Sequence, residues 1–181
     1  YGWKNYPYDY YNIWVKNGGE QPYMEEPTLE LLTKDFDVII FKHCYPVSKI
    51  HPDTGFPDIN SEEKRLENYK LQYNALKSKM HEFPDNKFIV WTPAVMVKSR
   101  LSEDEAVRTR SFYEWMITEW DEAEDNIYVF DFYSYETGGG LYLAPQNATS
   151  QENSHPNSEF SERMAPLFSE FVINVIDGNI K

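Results

Sequence analysis

The chain has 181 residues, 41% of them hydrophobic, and its 30 acidic and 17 basic side chains give a formal net charge of −13. This length and composition suit one domain with a single core. Binding to a polyanion requires clustered lysine and arginine side chains, which so acidic a chain does not favour. We therefore expect no nucleic-acid partner and no binding to anionic membrane surfaces.

Several kinds of site are also excluded by residue counts and spacing. Cys44 is the single cysteine, so an internal disulfide and a multi-cysteine metal site are impossible. The four histidines lack zinc spacing, and residues 51–58 lack the ligand pattern of an EF-hand loop. No apolar run reaches the length of a membrane span, and no targeting segment is visible. We expect no metal, no other cofactor and no membrane insertion.

The chain begins with a segment rich in aromatic residues. Such rings can stack on the flat faces of sugars. They can also form an arm that packs over a sheet, and we favour this interpretation for most of them, with one or two rings near a site. The segment contains Tyr1, Trp3, Tyr6, Tyr8, Tyr10, Tyr11, Trp14 and Tyr23.

Three short apolar runs, at residues 37–41, 87–92 and 127–133, predict strands that are buried on both faces. Between the first two, apolar residues recur at intervals of three and four from Leu66 to Phe83. This spacing predicts an amphipathic helix, with Asn60 and Glu63 as its start signal.

A second helix is predicted between the second and third strands, because residues 102–105 (Ser-Glu-Asp-Glu) fit a capping box. A third is predicted from an apolar stripe that runs from Phe160 to Ile176, with Gly178 at the expected stop. Irregular segments are expected up to about Pro27, at residues 45–60 and at residues 134–156.

The alternation of strands and helices predicts right-handed parallel crossovers and therefore an α/β fold, a three-layer α/β/α sandwich with a parallel sheet. In such folds ligands bind beyond the carboxyl ends of the strands. Residues 45–60 and 134–156 follow strands directly. We therefore expect these two segments to form the site.

His155 is the first candidate for chemistry. It lies just before the last helix, with Glu152 three residues earlier and Pro156 directly after it. A carboxylate that orients an imidazole is how many hydrolases hold their general base. The alternative is a histidine that only begins the helix, whose first turn Pro156 fixes.

With the strand and helix order, residues 88–93 (Phe-Ile-Val-Trp-Thr-Pro) and 154–157 (Ser-His-Pro-Asn) resemble the SGNH, or GDSL-like, hydrolases. Residues 7–15 (Pro-Tyr-Asp-Tyr-Tyr-Asn-Ile-Trp-Val) and 41–48 (Phe-Lys-His-Cys-Tyr-Pro-Val-Ser) resemble a bacterial subgroup of SGNH-like proteins. The resemblance covers most of the chain. It implies a flavodoxin-like SGNH hydrolase architecture that acts on esters.

The resemblance also implies a serine nucleophile after the first strand and an Asp-x-x-His pair before the last helix. His155 then matches the general base, and Glu152 takes the place of the aspartate with one more methylene. No Gly-Asp-Ser motif occurs in the sequence. We therefore expect residues 1–181 to form a single SGNH-like α/β domain whose nucleophile and first strand lie upstream of Tyr1, or are supplied by an additional chain or segment that completes the sheet.

The family's Gly-x-Asn-Asp block, which supplies an oxyanion donor, corresponds here to residues 42–45 (Lys-His-Cys-Tyr). Cys44 would replace the asparagine, so backbone N–H groups or Lys42 would have to supply the donor. The candidate substrate-binding residues are Lys42, His43, Cys44, Ser48 and Asn157.

Cys44 allows two further interpretations. A thiol beside cationic groups can be an activated nucleophile, with His155 as its base. A single cysteine can equally be a packing residue.

We expect a secreted or periplasmic SGNH-type ester hydrolase that works by serine acyl transfer on a small-molecule or carbohydrate ester. The alternative is a non-catalytic module on the same scaffold, which binds a glycan or a partner protein.

Overall fold

A three-stranded parallel sheet forms the centre of the chain in the computed structural model, which describes residues 1–180. Its strands are β1 (Val38–Phe41), β2 (Lys87–Trp91) and β3 (Ile127–Phe130), and they lie side by side in chain order. Val38 pairs with Lys87, and Phe88 pairs with Ile127. The predicted α/β class and parallel strands are confirmed.

Helices precede, separate and follow these strands, and a short antiparallel hairpin lies before the last helix. The helices are α1 (Pro7–Tyr10) with a π-helical extension (Tyr11–Lys16), α2 (Leu29–Asp35), a 3-10 turn (Tyr45–Ser48), α3 (Leu66–Met80), α4 (Glu103–Trp115) with a π-helical extension (Met116–Trp120), α5 (Phe132–Thr137) and α6 (Ser158–Ile176). The hairpin strands are β4 (Ala148–Ser150) and β5 (Asn153–Pro156).

The two predicted helix starts behave differently. The capping box of α4 is confirmed, since Ser102 Oγ accepts the Glu105 N–H at 3.3 Å and Glu105 Oε2 accepts the Ser102 N–H at 2.9 Å. The start signal at Asn60 and Glu63 does not form, and α3 begins at Leu66. There the Glu63 N–H donates instead to the Ser61 hydroxyl at 3.1 Å, so the preceding segment remains a turn.

The third strand is shorter than the predicted run of residues 127–133. It ends at Phe130, because Asp131 Oδ1 accepts the Ser134 N–H at 3.1 Å and starts α5. Gly138 ends this helix in the left-handed region, at φ 59°. The segment expected to be irregular therefore contains the end of a helix and the β4–β5 hairpin.

Successive residues of the strands are buried on opposite faces of the sheet. Ile39, Phe41, Phe88 and Val90 share one apolar cluster with side chains of α3 and the end of α4. Ile89 and Phe130 belong to another, which contains Phe160, Met164 and Val175 of α6. Burial on both faces explains why these strands are continuous apolar runs.

Most of the aromatic N-terminal segment packs into the core. Tyr6, Tyr11 and Trp14 are buried in the cluster that contains Phe41. The interpretation as a covering arm is therefore confirmed for these rings. Trp3 is more exposed and lines an apolar groove beside β1.

The outer edge of β1 has no strand beside it within residues 1–180. The Lys87 N–H donates to the Asp37 carbonyl at 2.9 Å. Because backbone groups alternate in direction along a parallel ladder, those of Ile39 and Phe41 also face β2, whereas those of Val38 and Ile40 face outward. Ile40 is 44% exposed. This edge could therefore pair with another strand.

In the part of the chain that the structure describes, no helix combines the length and the apolar character needed to cross a membrane.

Candidate functional site

The carboxyl ends of the three parallel strands meet the β4–β5 hairpin. We call this region the carboxyl edge. The Val97 N–H, from the segment after β2, donates to Ser154 Oγ at 3.1 Å. The Tyr45 ring, from the segment after β1, packs edge-on against the His155 ring with centroids 5.0 Å apart. The structure thus brings together the two segments in which the sequence predicts a site.

His155 is exposed, and its ring orientation is fixed by Asn153. Asn153 Oδ1 lies 2.8 Å from His155 Nδ1 and 3.0 Å from the His155 backbone nitrogen. Since the backbone N–H can only donate, the amide oxygen must face the histidine, and Nδ1 must then carry a proton to donate to it. In the neutral ring, Nε2 therefore keeps its lone pair and can act as a base.

Glu152, the predicted partner of His155, lies elsewhere. Its carboxylate is 3.5 Å from Arg100 Nε, and its carbonyl oxygen accepts a hydrogen bond from the same nitrogen at 3.1 Å. The reason is the alternation of β5, in which Asn153 and His155 share a face while Glu152 lies in the turn before the strand. In the structure the side chain that contacts the His155 ring is therefore that of Asn153 and not that of Glu152.

His43 is a core residue rather than a surface group. Its side chain is buried against the rings of Tyr10 and Tyr73, at centroid distances of 5.2 and 5.7 Å. Neither ring nitrogen has a hydrogen-bond partner within residues 1–180. Burial, with a smaller contribution from the charge of Lys42, lowers the pKa of His43 to about 3. A ligand at the surface therefore cannot reach it.

Ser48 and Asn157, two other predicted binding residues, support the fold. The buried Ser48 hydroxyl donates to the Tyr45 carbonyl at 2.7 Å. Asn157 caps α6, since its Oδ1 accepts the Phe160 N–H at 2.8 Å while its Nδ2 donates to the Gln146 carbonyl at 2.8 Å. Their polar side chains are thus engaged in holding the 3-10 turn and the start of α6.

Lys42 and Cys44 remain accessible at the end of β1. Cys44 is partly exposed and precedes the 3-10 turn. Lys42 Nζ lies 5.6 Å from the centroid of the Trp91 ring, at the wall of a pocket of about 240 Å³. The structure thus keeps these two of the five predicted binding residues available to a ligand.

Glu136, in α5, is a residue of this region that the sequence did not indicate. It is buried, and its Oε1 accepts the Val95 N–H. Desolvation raises the pKa of Glu136 well above its usual range, while this hydrogen bond and the charge of Lys42 act in the opposite direction. Glu136 thus links the segments after β2 and β3. No pattern in the sequence indicated its role. The helix α5 is too short to show a helical period of apolar residues, and it overlaps a segment predicted to be irregular.

The hydroxyl closest to His155 in sequence is that of Ser154, but it points away. Ser154 lies on the opposite face of β5, buried against the Val97 N–H. Within residues 1–180 there is also no group of three or more histidine, cysteine, aspartate or glutamate side chains that could hold a metal ion. The described residues thus place an exposed imidazole, a lysine and an apolar pocket at the carboxyl edge.

Fold and site together define an α/β protein with a parallel sheet and a histidine-containing carboxyl edge. In comparisons with protein-family models, with curated proteins and with solved structures, nothing matches this chain.

Proposed function

We propose that the chain is an SGNH-like ester hydrolase in which His155 is the general base. The observation that supports this most is the hydrogen-bonding of its ring, which holds the proton on Nδ1 and leaves Nε2 basic at the carboxyl edge. Asn153 takes the role of the third group. An amide oxygen can orient a catalytic histidine, as in proteases with a Cys-His-Asn arrangement.

The proposal includes a three-layer α/β/α sandwich of SGNH type. It also includes a further strand, from an additional segment or another chain, beside the outer edge of β1. That edge fits the role because the backbone groups of Val38 and Ile40 face outward there. Such a strand would end beside Lys42, and its last residues could carry the serine nucleophile to the carboxyl edge.

In this mechanism His155 Nε2 takes the proton of the serine hydroxyl as its oxygen attacks the acyl carbon. The charge that develops on the carbonyl oxygen faces Lys42, which replaces the asparagine donor of the resemblance. His155 then gives the proton to the departing alcohol, and water hydrolyses the acyl-serine by the reverse transfers. The substrate is a small-molecule or carbohydrate ester, and the protein acts outside the cytoplasm, in the periplasm or after secretion.

A second candidate function is a binding module for a glycan or a protein on the same scaffold. It is favoured by the position of Ser154, whose hydroxyl is buried against the Val97 N–H and so is not presented to His155. A chain that binds ligands at the carboxyl edge without turnover would have this form.

The experiment is the turnover of a chromogenic ester by the intact protein and by His155→Ala. His51→Ala is the matched control, because His51 is also an exposed histidine with a single side-chain partner, Glu63 at 3.3 Å. Loss of a general base should lower kcat/KM by about 10²- to 10⁴-fold, with the control unchanged. Equal turnover in His155→Ala and wild type would contradict the hydrolase. A wild type that is inert to esters would favour the binding module.

A further inference from the structure

A pocket between α6 and the carboxyl ends of β1 and β2 has the form of a ligand site. We call it the Trp91 pocket, and its volume is about 240 Å³. Its walls are mostly aromatic and aliphatic. The lining includes Lys42, Trp91, Phe132, Phe160, Met164 and Phe168.

Lys42 is the charged side chain in the lining of this pocket, and Ser161, the other polar side chain there, donates its hydroxyl to the Asn157 carbonyl at 2.9 Å. Lys42 Nζ lies over the Trp91 ring, and among residues 1–180 no carboxylate lies within ion-pair distance of it. Desolvation dominates the pKa of the buried Glu136 carboxyl and raises it well above its usual range, although the charge of Lys42 acts to lower it. Glu136 is therefore not an ion-pair partner for Lys42. A fitting ligand therefore brings an oxygen acceptor or a negative charge.

The size and lining of the pocket define the rest of the ligand. A volume of about 240 Å³, at about 30 Å³ for each group the size of a water, holds about eight non-hydrogen atoms. Apolar walls favour a hydrocarbon chain over a sugar, because buried hydroxyl groups without partners are costly. An aliphatic carboxylate of about six carbons matches this volume, with its carboxyl group at Lys42 and its chain against the apolar walls.

We propose that the Trp91 pocket binds the acyl chain of a medium-length aliphatic carboxylate, with the carboxyl group at Lys42. Pro156, the residue after His155, also lines the pocket, so the pocket adjoins the proposed base. This inference builds on the proposed function, for which it names the acyl group. It predicts esters of about six-carbon acids, rather than acetyl esters, as substrates.

Calorimetric titration of the intact protein with hexanoate, and with acetate for comparison, tests the pocket without turnover. Each added methylene that enters an apolar site should tighten binding about fourfold. Hexanoate should therefore bind much more tightly than acetate. Equal affinities for the two acids would overturn the proposal.

Two variants locate the binding. Lys42→Met keeps the length of the side chain but removes its charge, and should weaken hexanoate binding at least tenfold. Met164→Trp should abolish it by filling the pocket. Lys98→Met is the matched control, because Lys98 also lies over an aromatic ring, Tyr142 at 6.0 Å, outside this pocket. Wild-type affinity in Lys42→Met, which changes only a surface side chain, would overturn the proposal even if Met164→Trp does not fold.

The outcomes separate the pocket from the hydrolase. Hexanoate binding without ester turnover would support the pocket and contradict the hydrolase. Turnover that depends on His155, with no hexanoate binding and no preference for chain length, would support the hydrolase and overturn the pocket.

Discussion

The segment after β1 and the β4–β5 hairpin each carry a histidine to the same edge of the sheet, with opposite results. His43 continues the alternation of Ile39 and Phe41, so its ring enters the aromatic core. His155 lies on the outer face of β5 and keeps one nitrogen free. The comparison teaches that position relative to a strand's alternation, rather than residue type, decides whether a histidine can do chemistry.

The largest expected effect is the pH dependence that buried His43 imposes on stability. The pKa of His43 falls from 6.5 to about 3 on folding, so the unfolded chain binds the proton more readily. This contribution to stability is complete above pH 6.5 and is lost as the pH falls. His43→Phe should therefore gain about 3 kcal/mol over wild type between pH 6.5 and pH 4, because the slope approaches about 1.4 kcal/mol per pH unit and is about half as steep near pH 6.5.

Urea unfolding of both proteins across this pH range measures the difference. His81→Phe is the control, because His81 is exposed, with Asp125 as its partner. Parallel stability curves for wild type and His43→Phe would mean that His43 is accessible to protons, and the contrast between the two histidines would fail.

Glu136, which lies between the two segments, should produce a slope of opposite sign. Its pKa is raised well above the usual range on folding, so above about pH 4.5 the folded protein holds a proton that the unfolded chain has lost. Stability then falls as the pH rises above that value. Glu136→Gln has no titratable carboxyl group and therefore lacks this dependence of stability on pH.

The variant should therefore become more stable relative to wild type as the pH rises above about 4.5, as followed by chemical unfolding. A constant difference over this range would contradict the burial of the carboxyl. Glu82→Gln, which changes an exposed residue, controls for general charge effects.

The smallest effect compares the two candidate partners of His155. Asn153→Ala removes the acceptor that fixes the ring, and we expect kcat/KM for a chromogenic ester to fall about tenfold, an interaction of about 1.4 kcal/mol. Glu152→Ala should leave turnover unchanged, because its carboxylate lies beside Arg100. A larger loss of turnover in Glu152→Ala than in Asn153→Ala would instead support Glu152 as the partner of His155, as the sequence predicts.

The strands and longer helices could be predicted from the sequence because their signals are strong and local. Burial on both faces gives continuous apolar runs such as Phe88–Trp91, and the capping box at Ser102 encodes its own two hydrogen bonds. The order of these elements was enough to predict that the site lies at the carboxyl edge. Its location required no knowledge of individual side chains.

The partners within the site could not be predicted in the same way. The hairpin strands are three and four residues long, too short for a visible period, so the sequence did not reveal that Asn153 shares a face with His155. The burial of His43 could have been predicted, because it lies two residues after Phe41 and four after Ile39, on the side of the chain that faces the core. For Glu136, burial depends on tertiary packing against the segment after β2, which no local pattern encodes.

The measurement that tests the central claim most directly is a long-range ¹H–¹⁵N NMR spectrum of the histidine rings at about pH 8. We predict that His155 is in the tautomer with the proton on Nδ1 and an unprotonated Nε2, and that Asn153→Ala loses this preference. A His155 ring with the proton on Nε2 would contradict this prediction, because Nε2 could then no longer act as a base.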